Sequence, residues 1–457
     1  MSLPLEAAST ESSTVTYLRS LPAIRDRCNR VYELAKAGKL EYFDYHPEKE
    51  QEVIDFCCDI IQRDFGTNYQ SIPPHSRWRH LDAGKTRIQP LIDSWKGASP
   101  KPSDLEIAKR LIDLFLVSVL LDAGAGNEWK YKVDEQTYAR SEGLAVASYD
   151  MFVQGVFSDD PKDPFRVDAA ALERLNTEKV SAALQVSESN PMNGVQGRSE
   201  LLINVAQALR SQPEYFGTGA RPGNMLDFLL KESRQHDGKT AIHVSSLFGV
   251  LIEGLATIWP ASRSSLNGVA LGDVWPCGAL AGNPGPNSKA VPENVKFSPG
   301  MKKTSRSAAA KGDDLVPFHK LTQWITYSLI EPIEKVLGWE VEGMEDMTGL
   351  PEYRNGGLLV DLGVLTLRHS AVSSYFAAGA ATPKLPPSHS AIIEWRAMTV
   401  IELDRIAEGL RKKLGYPLKL AQVLESATWK GGREIAKRKR PETGGPPIEI
   451  ESDGTVF

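Results

Sequence analysis

The stretch GGLLVDLGVLTLRH, residues 356–369, sets one carboxylate, Asp361, among Leu358, Leu359, Val360, Leu362, Val364 and Leu365. An ionised carboxylate removed from water is costly unless it is paired or hydrogen-bonded, so an acid kept in such a run has a partner or a use. Two readings follow. Either Asp361 is a solvated acid at a helix start or turn, or it is a shielded group held for chemistry.

The segments around it decide the fold. Apolar residues recur at spacings of three and four over residues 16–37, 48–64, 105–121, 138–156, 198–211, 243–258, 315–336 and 388–412, which predicts amphipathic helices. Alternation of the strand type is scarce, its clearest instance being PIEIESDGTVF at residues 447–457. The expected fold class is therefore mainly α, a multi-helical globular protein with a few short strands, and no regular period marks a solenoid. Residues 1–15 are Ser/Thr-rich and read as a mobile tail, and 16–457 as one large α-rich domain. Residues 279–312 are rich in Pro, Gly, Ser and Lys and read as a flexible surface insertion.

The 457 residues are 41% apolar and 24% charged, with a formal net charge of −5, which suits an ordinary globular chain and argues against a general nucleic-acid binder. Cys28, Cys57, Cys58 and Cys277 contain no C-x-x-C spacing, so neither a zinc knuckle nor a disulfide framework is indicated and a reducing compartment fits. No run reaches the length of a membrane span. A cytoplasmic location is expected, with the run KRKRPE from Lys437 offering either a nuclear signal or a solvated helix end.

Strong catalytic motifs are missing: there is no P-loop, G-x-S-x-G or H-E-x-x-H. The G-x-G within DAGAGNEWKY, residues 122–131, follows a helix and reads as a C-cap, yet Asp122 and Trp129 crowd that turn. In PPHSRWRHL, residues 73–81, Arg77, Arg79 and His80 gather beside Trp78, a composition able to grip an anion and stack on a flat group, or simply to form a wet loop. His75 and His80 could serve a metal only with further ligands, and no metal or other cofactor is expected. In VPFHKLTQWITYSLIEP, residues 316–332, Lys320, Gln323 and Tyr327 form a polar ridge beside an apolar stripe, either a wet face or a ligand wall. In the helix of residues 389–414, Arg396 shares a stripe with Ile392, Val400 and Leu403. Its guanidinium must snorkel or meet a buried carboxylate, for which Asp361 and Glu394 are the candidates.

With these segments in hand, the chain resembles the uracil-catabolism protein family of fungi and some bacteria, long described as a domain of unknown function. The resemblance runs from about residue 17 to the end, through PPHSRWRH, LLDAGAGNEWKY, YDMFVQGVFSDDP, LVPFHKLTQWITYSLIEP, GGLLVDLGVL, EWRAMTVIELDRIA and GGPPIEIESDGTVF. It implies a place in a route that opens the uracil ring of a nucleotide with a functional partner resembling GTP cyclohydrolase. More distantly the order of segments is similar to the queuosine-salvage nucleotide N-glycosidases, helical proteins related in shape to DNA glycosylases. VQGVFSDDPKDP looks like their glycine-to-aspartate turn, FHKLTQWI like their Lys and Gln helix, and EWRAMTV like their Glu and Arg helix.

By that resemblance Asp361 is the catalytic acid, while Leu362 and Gly363 stand where the other family tends to have Tyr and Arg. The implied reaction is hydrolysis of the N-glycosidic bond of a ring-opened uracil nucleotide of the phosphoribosyl-urea type, releasing urea and ribose phosphate. Arg396, Glu394, Lys320, Gln323, Arg77, Arg79, His80, Trp129 and Asp122 would bind the phosphorylated ribosyl substrate. The competing readings are a metal-dependent ureide hydrolase using His75, His80, Asp82 or Asp122, and a non-enzymatic partner of the ring-opening enzyme. No nucleic acid or membrane is expected as a partner.

Overall fold

Every stretch with helical spacing folds as a helix in the computed structural model, which describes residues 10–122, 125, 128–259, 263–283 and 312–451. The principal helices are α1 (Leu21–Lys36), α2 (Glu50–Phe65), α3 (Asp104–Leu120), α4 (Arg140–Val153), α5 (Val195–Ser211), α6 (Val244–Gly254), α7 (Lys320–Pro332), α8 (Tyr353–Asp361), α9 (Ser390–Leu414) and α10 (Trp429–Lys439). The mainly α class is thereby established. Strands are short: β1 (Phe43–Tyr45), β2 (Arg234–His236), β3 (Lys239–His243), β4 (Val274–Pro276), β5 (Leu315–Pro317), β6 (Glu340–Glu342) and β7 (Leu365–Leu367) are those that bear on the argument. The C-terminal strand is realised as Glu449–Ile450, parallel to Lys384–Leu385.

Helix ends follow local chemistry. Ser103 accepts from the Glu106 amide at the start of α3, with Asp104 and Glu106 in its first turn, where acids meet the positive end of the helix dipole. At the other pole, α9 carries Arg411, Lys412 and Lys413 in its last turn and stops at Gly415 in the left-handed conformation.

The described residues fall into two compact units, one within residues 10–74, 263–320 and 347–451, the other within 75–259 and 321–346. A helix already begins at Thr10, within the segment read as a tail. Residues 284–311, most of the expected insertion, lie outside the described residues.

The first unit is built along α9, 25 residues or roughly 37 Å long, against which α1, α2 and α8 pack. β1 pairs antiparallel with β7, Phe43 facing Leu367, and β4 with β5, Val274 facing Pro317. The second unit packs α3 against α4, and its three-stranded sheet runs β6-β3-β2 with β6 parallel to β3.

The opening stretch owes its position to glycine. A Cβ on Gly432 of α10 would lie 2.0 Å from the Arg354 carbonyl oxygen of α8, and one on Gly356 would lie 2.7 Å from Trp395 Nε1. α8 therefore meets its neighbours at backbone distance, and the Trp395 indole donates to the Gly356 carbonyl at 2.9 Å. Gly432→Ala should force α8 and α10 apart and lower stability by about 1–3 kcal/mol; urea denaturation showing wild-type stability would contradict this contact.

Candidate functional site

Asp361 is the last residue of α8, where a negative side chain adds to the negative pole of the helix. Arg440, just beyond α10, compensates it: Nη1 donates to Oδ1 at 2.8 Å and Nη2 to Oδ2 at 2.5 Å. The Asp361 side chain is only 5% exposed, so the acid is shielded as expected, but its partner is Arg440 and not Arg396. The pairing was hidden because the partner lies in the basic run that reads as a solvated end. Arg440 also donates through Nε to the Gly445 carbonyl, so one member of that run is committed inside the fold.

Arg396 instead finds Asp273. Its Nη1 and Nη2 donate to Oδ1 and Oδ2 at 2.9 and 2.7 Å, and both side chains are almost wholly buried. The guanidinium lies over the Phe318 ring, 4.0 Å from its centroid, and its Nε donates to the Pro351 carbonyl at 3.3 Å. Asp273 further accepts from Trp275 Nε1 and from the Lys320 backbone N–H, at 2.6 and 2.9 Å. Burial alone would raise the Asp273 pKa, but the Arg396 charge and these donors prevail and hold it well below the usual carboxylate range. Glu394, the other expected partner, turns away to accept the backbone N–H groups of Glu41 and Tyr42 at 2.9 and 3.0 Å, and burial pushes it up to about 7.

Beside this pair stands a carboxylate that the sequence reading passed over. Glu352 precedes α8 and caps it: Oε2 accepts the Arg354 amide at 2.7 Å and Oε1 the Asn355 amide at 2.6 Å. Burial raises its pKa, opposed by the two amides and then by the fields of Lys320 and Arg354. Nearby, Asn355 gives its Nδ2 to the Leu350 carbonyl at 3.0 Å. The first unit thus brings Glu352, Lys320, Asp273 and Arg396 together around the start of α8. The available signal was PEYRNGG, in which a glutamate follows proline at a helix start, one of the places where an acid can bind free amides.

The remaining expected site residues belong to the second unit, where most are matched already. Arg77 is buried, donates through Nε to Ser118 at 2.8 Å and lies 2.7 Å from Asp122 Oδ2. Arg79 is paired with Glu331, which also accepts from Ser76. These arginines meet carboxylates of their own fold, contrary to the expectation of an anion grip. Trp129 is a core residue rather than the wall of a leaving group: its indole donates to the Leu184 carbonyl at 2.8 Å and none of it is exposed. Gln323 and Tyr327 are buried, so the ridge of α7 is not a wet face. His75 and His80 flank Trp324, with ring centroids 4.5 and 5.8 Å from it. Among the described residues, the histidine and carboxylate groups close enough to share a metal are His236, Glu340 and Glu342, none of which belongs to the expected ligand set.

A family profile described as "Protein of unknown function (DUF1688)" matches residues 17–457. The chain belongs to that family. Among its relatives, Uracil catabolism protein 4 of Lachancea kluyveri is 42% identical over 462 aligned residues, which cover 98% of this chain and 100% of that protein. Protein urg3 of Schizosaccharomyces pombe is also 42% identical, over 451 residues and the same shares of each chain. The family match thus takes in both units and every carboxylate described above. No helix among the described residues is long and apolar enough to cross a membrane.

Two measurements check the electrostatics. Asp273→Asn leaves the Arg396 charge buried and unmatched, and should cost about 3–5 kcal/mol; a loss below about 1 kcal/mol in chemical denaturation would deny the pair its importance. Glu402, fully buried on α9, is pushed up to about 8, first by burial and then by the neighbouring Glu50 charge. Its folded pKa lies above the ordinary value near ~4.3, so its stabilisation is complete below that value and is lost as pH rises through about 8. Glu402→Gln should flatten the decline in melting temperature between pH 5 and 9; an unchanged decline would assign it to other groups.

Proposed function

We propose that this protein acts in uracil catabolism, as the name of its Lachancea kluyveri relative indicates for that protein, and that it hydrolyses the N-glycosidic bond of a ring-opened uracil nucleotide. The substrate is of the phosphoribosyl-urea type and the products are urea and ribose phosphate. The observation that carries the reading is Glu352: a carboxylate withdrawn from water, fixed by two helix amides, with burial raising its proton affinity.

Breaking the bond between C1′ and nitrogen develops positive charge on the ribose, which a fixed carboxylate in a water-poor site stabilises better than solvent does. A carboxylate with raised proton affinity can also take a proton from the attacking water and return it to the leaving nitrogen. The water oxygen bonds to C1′, the C1′–N electron pair leaves with the urea nitrogen, and that nitrogen takes up the proton. Lys320 supplies positive charge for the substrate's 5′-phosphate. Arg396 and Asp273 act as positioning residues, since Arg396 holds the Pro351 carbonyl next to Glu352.

A second carboxylate, Asp361, has the shielding that such a role needs. Its charge is already met by both arms of Arg440, however, which leaves less of it for a developing cation, and Glu352 is the better candidate. Pure protein should release urea from phosphoribosyl-urea and no uracil from uridine monophosphate. Glu352→Gln should lower turnover at least about 100-fold and, by exchanging one of the two capping acceptors for a donor, lower stability by about 1 kcal/mol, while Asp361→Asn should lower stability and leave the turnover of the folded protein within about tenfold of the wild type. The reverse pattern would return the catalytic role to Asp361. Because the Glu352 pKa is raised, the acid limb of kcat/KM should fall above the ordinary glutamate value near ~4.3. Urea release that requires a chelatable metal would favour the ureide hydrolase, and a stable complex with the ring-opening enzyme without turnover would favour the partner role.

A further inference from the structure

A separate cavity of about 370 Å³ lies wholly within the second unit, lined by Asp159, Asp160, Pro161, Arg166, Asp168, Ala170, Arg210 and Gly219. That volume is in the range of small-molecule sites. The charges around it are unequally committed. Asp168 accepts the Ala171 amide on Oδ1 at 3.0 Å and the Asp159 amide on Oδ2 at 2.9 Å. Asp159 is paired with Arg174, and Arg210 forks onto Glu173 at 2.6 and 2.9 Å.

Arg166 is held more loosely. Its Nε is shut off from solvent without a hydrogen-bond partner and forms an ion pair of 3.5 Å with Asp168 Oδ2, an oxygen that also accepts the Asp159 amide. A guanidinium offers a planar fork of donors suited to an oxyanion. Gly219, on an exposed turn, leaves the space above this fork open: even a Cβ there would lie 4.0 Å from Arg166 Nη2. Pro161 and Ala170 add short apolar surface.

The cavity's three aspartates bear on which oxyanion fits. A phosphate dianion would meet Arg166, an Arg210 whose charge Glu173 already offsets, and the repulsion of Asp159, Asp160 and Asp168. A carboxylate monoanion incurs less of that repulsion. If it also carries N–H groups, it gains an acceptor in Asp160, whose Oδ1 holds the Lys162 amide at 2.9 Å and whose Oδ2 remains for a ligand. We propose that this cavity binds a small carboxylic acid bearing an amino or ureido group, its carboxylate on Arg166 and its N–H groups on Asp160. This site draws on none of the residues assigned to glycosidic hydrolysis.

Calorimetric titration of the full-length protein with 3-ureidopropionate, β-alanine, propionate and inorganic phosphate tests the assignment. At least one of the two nitrogen-bearing acids should bind saturably, with propionate and phosphate at least about tenfold weaker, a difference of about 1.4 kcal/mol. Arg166→Gln should weaken the favoured acid at least about tenfold, and Gly219→Val, a change on the exposed turn, should block it without altering the melting temperature. The assignment is overturned if neither acid binds, if phosphate binds more tightly than both, or if Gly219→Val leaves the affinity intact.

Discussion

The ion pair between Arg396 and Asp273 is the constraint on which the first unit depends. A guanidinium on the apolar face of the longest helix has no route to water, since its side chain is 2% exposed, so the fold must bring it a carboxylate and satisfy what remains. Asp273 arrives on the turn before β4. Its second set of partners, the Trp275 indole and the Lys320 amide, fixes the start of α7. The remaining Arg396 donor takes the Pro351 carbonyl and so fixes the entry to α8. One charge on α9 thereby sets the positions of two other helix starts, and the two side chains placed there, Lys320 and Glu352, are those on which the chemistry is built.

Much of the secondary structure was legible because helical spacing depends on neighbours a few residues apart. The window 388–412 became α9 and 105–121 became α3 with shifts of only a residue or two. Arg396 stands out as needing either a route to water or a carboxylate, since a charge on an apolar stripe is a local contradiction. Its partner was not legible. Asp273 lies 123 residues away, in a segment without periodicity, and nothing in the sequence ranks it above Asp361 or Glu394. Arg77 and Arg79 show the converse: their cluster reads either as an anion grip or as a wet loop, whereas Asp122 and Glu331 meet them from elsewhere in their own unit. Spacing reveals that a charge must be matched; only the tertiary fold reveals by what.

Two buried acids of the first unit share a chemical theme. Glu352 and Glu394 are both capped by backbone amides and both have raised pKa values, while Asp273 moves the other way because a guanidinium faces it. The difference is the partner. Backbone amides stabilise a carboxylate through partial charges and leave burial free to raise its proton affinity, whereas a bidentate arginine removes that capacity. A group meant to exchange protons is better capped by amides than clamped by arginine, and by this measure Glu352 differs from Asp273.

The crossing of α8 and α10 has a consequence for how the protein can change over time. At Gly432 and Arg354 the two main chains touch with no side chain between them, two residues from the acid that caps α8. Helices separated by side chains can drift as those side chains are exchanged for larger or smaller ones, and whatever they carry drifts with them. A main-chain contact offers mutation nothing to exchange except the glycine itself. Exchange of the surrounding side chains therefore has little leverage on where Glu352 stands.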